Sequence, residues 1–143
     1  MADDQITRGS ADLVKTIFLA APPERVWAFL TEKRYLDRWY NTAEADLAPD
    51  APYTLTKDGK PLVWGRVLRW DPPRELVTTF EVAPLDGAKT TVTWILEEAP
   101  GGTRVTLHHA GILAAGAVGA QMLAALDPGW DTHFVALRAV AGD

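Results

Sequence analysis

The stretch LVKTIFLAAPPERVWAFLTEKRYLDRWY, residues 13–40, is where the fold is decided. Its first eight residues, 13–20, are rich in apolar and β-branched side chains, which predicts a strand. Pro22 and Pro23 end that strand. Proline suits a first helical turn, where its missing N–H would have had no partner, and Glu24 suits the positive end of a helix. Val26, Phe29 and Leu30 recur at i, i+3 and i+4, so a short helix is predicted over 23–31. A second short helix is predicted over 33–40, with Leu36, Trp39 and Tyr40 on one side. Residues 21–40 hold five aromatic rings and seven charges. So many rings on two short charged helices are expected to close the end of a larger core.

Downstream the chain turns to strands. In PYTLTKDGKPLVWGRVLRW, residues 52–70, the segment KDGK lies between two β-rich arms, a strong hairpin signal. WDPPREL, LDGAKTT and APGG mark further turns, with ELVTTFEV, TVTWILEE and TRVTLHHAG as the strands around them. Turns at this spacing predict a meandering antiparallel sheet. LAAGAVGAQMLAAL, residues 113–126, reads as a helix weakened by Gly116 and Gly119. Asp127 and Pro128 then read as the N-cap and first residue of a separate last helix over 128–141. Trp130, His133, Phe134, Leu137 and Ala141 fall on one face of it.

The expected class is therefore α+β: a curved antiparallel sheet of about six strands around a long C-terminal helix. Two short helices follow the first strand and fill one end. Residues 1–143 are expected to form one domain, with 1–11 as a flexible arm.

Composition removes several classes of function. The chain has no cysteine, which excludes disulfides, thiolate metal sites and cysteine nucleophiles. A single serine, Ser10, lies in the arm, so a serine nucleophile is excluded as well. The net charge of −5 offers no basic stripe for nucleic acid. The first ten residues lack an apolar signal region, and the apolar run 110–126 is too short to span a bilayer. A soluble, cytoplasmic protein is expected. His108 and His109 are adjacent on a strand and point to opposite faces, and His133 near His109 would still leave a metal short of ligands. No metal and no cofactor are expected. Asp127 and Asp131 read as a cap and a first-turn charge.

Alternation assigns the inner face. Val92, Trp94 and Leu96 are expected to face the last helix, as are Leu76, Thr78, Phe80 and Val82, with Glu75 and Glu81 outward. Val105, Leu107 and His109 share a face, and Tyr53 pairs with Leu55. Trp64 and Trp70 are left ambiguous by alternation, because charged Arg66 alternates with them while Arg69 lies on the opposite face; a bulge would resolve this, at a position the sequence does not mark.

The order of elements resembles the helix-grip fold of the START-like, or SRPBCC, superfamily. The pieces AAPPERVWAFLT, RWY, YTLTKDGKP, GRVLRWDPPRELVTTF, GGTRVTLHHAG and GWDTHFVAL are similar to those of its branch of activators of the heat-shock-protein-90 ATPase. They span nearly the whole chain in the expected order. Where that family often has a second Trp the chain has Tyr40, and where it often has paired Gly the chain has Ala51 and Pro52.

The resemblance implies a cavity between sheet and last helix that takes lipids, polyketides or other apolar molecules. The expected ligand-binding residues are Trp39, Tyr53, Thr78, Phe80, Trp94, His109, Trp130 and Phe134. His109 has two readings: a polar anchor or general acid–base, or a core histidine bonded to its neighbours. The first functional hypothesis is binding of a small, largely apolar molecule. The second is a cochaperone-like partner of the heat-shock-protein-90 chaperone, and the third a cyclase or isomerase using His109. A homodimer is compatible with all three. An empty apolar pocket of ~300 Å³ would cost roughly 7 kcal/mol, against ~5–15 kcal/mol for a whole domain. Such a space must therefore hold ligand or water, or be filled by the rings themselves.

Overall fold

The computed structural model describes residues 11–141. Strand β1 (Ala11–Leu19) leads into helices α1 (Pro23–Thr31) and α2 (Lys33–Trp39). Then come β2 (Thr42–Ala43), β3 (Pro52–Lys57), β4 (Lys60–Asp71), β5 (Glu75–Phe80), β6 (Thr90–Ala99) and β7 (Gly102–Ala110). A long helix, α3 (Ala117–Ala141), closes the order. The strands form one antiparallel sheet in the order β1-β7-β6-β5-β4-β3-β2. This is the helix-grip architecture, with seven strands where about six were expected. The additional one, β2, is two residues long and pairs Thr42 and Ala43 with Thr56 and Leu55. A segment that short has no periodicity to read. The expected arm, residues 1–11, falls largely outside the described residues; Ala11 is already part of β1.

The inner face follows alternation closely. Val92, Trp94, Leu96, Leu76, Thr78, Phe80, Val82, Val105, Leu107 and His109 are all buried. Glu75 lies on the outer face as expected, yet it is buried too, beside Arg69 of β4 at 3.2 Å. The bulge that alternation needed lies between Val67 and Arg69, where the register to β5 shifts. Leu68 is the additional residue, so Val67 and Trp70 both face inward opposite Thr78 and Leu76. Trp70 then meets Trp27 of α1 edge to face at 5.2 Å. Trp64 lies before the bulge, bridges to Glu81 and faces outward.

The hairpin predicted from KDGK turns at Asp58 and Gly59, both with positive φ, which matches the twist of its two strands. Farther along, Gly65 of β4 is paired directly with Tyr53 of β3. The Tyr53 hydroxyl reaches past it and donates to the Thr79 carbonyl of β5 at 2.6 Å. A Cβ at Gly65 would lie 2.2 Å from that same carbonyl oxygen. Gly65→Ala should therefore destabilise the protein by ~2 kcal/mol, through overpacking and displacement of the Tyr53 bond. Urea unfolding followed by circular dichroism tests this; an unchanged midpoint would mean the strand absorbs the methyl freely.

The C-terminal region differs from the expected pair of helices. α3 runs unbroken from Ala117 to Ala141 with Pro128 inside it, and Gly116 lies before its first turn. Proline removes one backbone hydrogen bond from a helix. One apolar stripe nevertheless runs in phase through it: Met122, Leu126, Trp130, Phe134, Leu137 and Ala141 all pack on the core. Asp127 is consequently no N-cap. It pairs with Lys15 of β1, and Asp131 one turn on lies 3.1 Å from the same ammonium. The two carboxylates fasten the edge strand to the helix. Gly119 is where the helix approaches the chain before it, since a Cβ there would be 1.9 Å from the Ile112 carbonyl oxygen.

Candidate functional site

Between the sheet and α3 the interior is a box of rings. Trp94 of β6 stands edge to face against Trp39 of α2 at 6.1 Å and Trp130 of α3 at 5.7 Å. Phe134 backs Trp94 at 5.9 Å. Tyr40 stacks on Trp39 at 5.0 Å and meets His133 at 4.6 Å. Of the rings in 27–40, Trp39 and Tyr40 line the void of this box. Phe29 stacks on Tyr35 at 4.2 Å, and the guanidiniums of Arg25 and Arg38 lie 5.0 and 5.7 Å from the Phe29 centroid. The charges interleaved with these aromatics thus cover them.

The box encloses a void of about 30 Å³. That is room for a water, well short of the ~300 Å³ at which ligand pockets begin. Trp39, Tyr53, Thr78, Phe80, Trp94 and Trp130 line it, together with Tyr40, Leu30, Leu36, Leu47, Leu55, Leu76 and Val92. Six of the eight residues expected to bind ligand therefore converge on one space. Phe134 and His109 do not line it; they stand behind Trp94 and Trp130. A second pocket of about 150 Å³ lies toward the first half of α3, between Tyr40, Leu62, Val82, Met122, Trp130 and His133. Tyr40, Phe80 and Trp130 line both spaces.

His109 is fully buried, and both ring nitrogens are committed. The Trp130 indole N–H can only donate, and it donates to His109 Nδ1 at 3.1 Å. Nε2 must then carry the proton, and its N–H donates to Thr90 Oγ1 at 2.8 Å. The Thr90 hydroxyl in turn donates to the Phe80 carbonyl at 2.8 Å. The chain Trp130–His109–Thr90–Phe80 is complete with a neutral imidazole. Burial pushes the His109 pKa down to about 3, with Asp12 pulling weakly the other way. The geometry is that of the core-histidine reading, in which His109 positions Trp130.

The other polar groups near the void divide in two. Trp39 Nε1 donates to the Phe29 carbonyl at 2.8 Å, and Tyr53 is held by Thr79. Burial raises the Tyr53 pKa to about 12, opposed by a hydrogen bond from Thr78. By contrast, the Tyr40 hydroxyl and the Trp94 indole N–H make no hydrogen bond among the described residues. Tyr40 is half-buried. Burial, and then the nearby Tyr53, raises its pKa well above the ordinary phenol value. His133 is half-buried, and burial lowers its pKa while the Trp39 backbone acts in the opposite sense. Tyr40 and His133 were not among the expected site residues. Their signal in the sequence was helical position: Tyr40 shares a side with Leu36 and Trp39, and His133 shares a face with Trp130 and Phe134. No group of three or more His, Asp or Glu side chains among the described residues is arranged to hold a metal, and no described helix is long and apolar enough to cross a membrane.

Comparison with known proteins adds to this geometry. No curated protein matches the chain. Among solved structures, protein MLL2253 from Mesorhizobium loti is 22% identical, with a TM-score of 0.79 over 89% of this chain and 93% of that one. CalU16 from Micromonospora echinospora is 26% identical, with a TM-score of 0.70 over 87% of this chain and 71% of its own. The Aha1 dimer from Colwellia psychrerythraea shares the fold at 16% identity, with a TM-score of 0.75 over 91% and 95%. A family model described as activator of Hsp90 ATPase homolog 1-like protein matches residues 20–142, so the chain belongs to that family.

Proposed function

We propose that the protein binds a small, largely apolar molecule between the sheet and α3. One observation carries this reading: rings from α2, β3, β5, β6 and α3 converge on a single void beside a second, open pocket. A box of tethered aromatic walls with a few polar groups has the chemistry of a ligand site. The rings fill most of the box, leaving a void of about 30 Å³, so binding displaces at least one of them. Native mass spectrometry of freshly purified protein, followed by titration with naphthalene, tests the reading. Extra mass released on denaturation, or saturable naphthalene uptake, is the expected result. Bare mass with no uptake would overturn it.

The family description favours a second reading, a cochaperone-like partner of the heat-shock-protein-90 chaperone. Stimulation of the purified chaperone's ATPase in a pull-down-positive mixture would support it, and absence of both would retire it. The dimeric relative makes a homodimer part of that reading, to be checked by sedimentation. A cyclase or isomerase using His109 is the weakest of the three. An acid–base residue needs a free nitrogen within reach of substrate, and His109 has neither free.

A further inference from the structure

We infer that Tyr40 is a swinging gate between the inner void and the open pocket, and that a ligand holds it open by offering an acceptor oxygen to donors in the box. This rests on the small-molecule reading above. Three rings line both spaces: Tyr40, Phe80 and Trp130. Two of them are fixed. Trp130 is tied by its N–H to His109, and Phe80 projects from a central strand onto the His109 ring at 4.7 Å. Among the described residues, Tyr40 has no such tether. It follows the last residue of a seven-residue helix, and among the described residues its side chain is held by packing and ring contacts without a hydrogen bond. With Tyr40 swung aside, the voids of about 30 and 150 Å³ and the space the ring leaves join into one chamber. That chamber approaches the ~300 Å³ a ligand needs.

The Tyr40 hydroxyl and the Trp94 indole N–H, unpartnered among the described residues, set the ligand's chemistry. An indole N–H can only donate, and a phenol that stays protonated donates readily. Phe80, Trp94, Trp130 and Trp39 offer flat apolar walls. The complementary molecule is a planar aromatic bearing a ketone, quinone or similar neutral acceptor, rather than a plain hydrocarbon or an amine.

The test uses the full chain labelled with 3-fluorotyrosine, which gives signals from Tyr35, Tyr40 and Tyr53. Tyr40→Phe assigns the gate's signal. Fluorine spectra are expected to show the Tyr40 resonance broadened or split by exchange while Tyr53 stays sharp. A fluorescent dialkylaminonaphthyl ketone and naphthalene then serve as probes. Tyr40→Phe should weaken the ketone about tenfold and leave naphthalene within twofold, as the loss of one hydrogen bond predicts. Tyr40→Ala should raise the association rate of both at least tenfold. A single sharp Tyr40 signal with an unchanged rate in Tyr40→Ala overturns the gate and leaves the binding reading intact. Exchange at Tyr40 with no probe uptake sinks the binding reading and leaves the moving ring standing. Equal loss of both probes in Tyr40→Phe would remove the acceptor rule alone.

Discussion

Trp94→Ala is expected to lower the unfolding free energy by ~3–5 kcal/mol and to turn a filled box into one that takes up benzene. Trp94 is 5% exposed and stands at the centre of the ring cluster, touching Trp39, Trp130 and Phe134. Two of these three partners are held by separate hydrogen bonds, from Trp39 to Phe29 and from Trp130 to His109. They are therefore poorly placed to collapse into the gap, and the cavity term should be felt nearly in full. The hole would merge with the void already there and be lined by apolar faces, so it should stay dry. Saturating benzene should then restore part of the lost stability through linkage, about 1–3 kcal/mol at concentrations ~10–100 times its Kd. Urea melts with and without benzene measure both quantities. A loss under ~1 kcal/mol would mean that the rings repack, and the picture of tethered walls would fail.

The sequence carried the order of elements, the inner face and the ring box because each rests on a repeating local pattern. Alternation in β5, β6 and β7 needs no tertiary information once one face is buried. Where the pattern breaks, the reading broke too. Trp64 and Trp70 point to opposite faces because Leu68 is bulged, and no residue type marks a bulge at that position. Pro128 looked like a helix start because Asp-Pro is a good start signal taken alone. The signal against it was the in-phase stripe from Met122 to Ala141, which could have been read by carrying the period across the proline. Asp127 and Asp131 could be understood only once β1 brought Lys15 beside them. His109 was found on the correct face, but its role depended on partners 19 and 21 residues away, Thr90 and Trp130, which spacing does not disclose. Tyr40 was hidden for a different reason. Whether a phenol is tethered is a property of its surroundings and leaves no trace in its own segment.

Because His109 is buried neutral, acid should destabilise the protein by a definite amount. Its folded pKa of about 3 lies below the ordinary value of 6.5. Above 6.5 both folded and unfolded chains hold a neutral imidazole, and the stabilisation is complete. As pH falls below 6.5 the unfolded chain takes up a proton that the folded chain refuses until about pH 3. Stability is therefore lost with falling pH across that window, at ~1.4 kcal/mol per pH unit. Between pH 7.5 and 4.5 this amounts to ~3 kcal/mol from His109, with a smaller contribution of the same sign from His133. Carboxylates titrate in the same range, so the informative quantity is a difference between proteins. His109→Gln keeps a group able to accept from Trp130 and donate to Thr90 without titrating. It should cost ~1–2 kcal/mol at pH 7.5, yet lose ~3 kcal/mol less than the wild type on going to pH 4.5. Urea unfolding of both proteins at the two pH values reads this directly. Parallel acid losses in the two proteins would mean that His109 protonates within the fold, and that the neutral chain from Trp130 to Phe80 does not set its state.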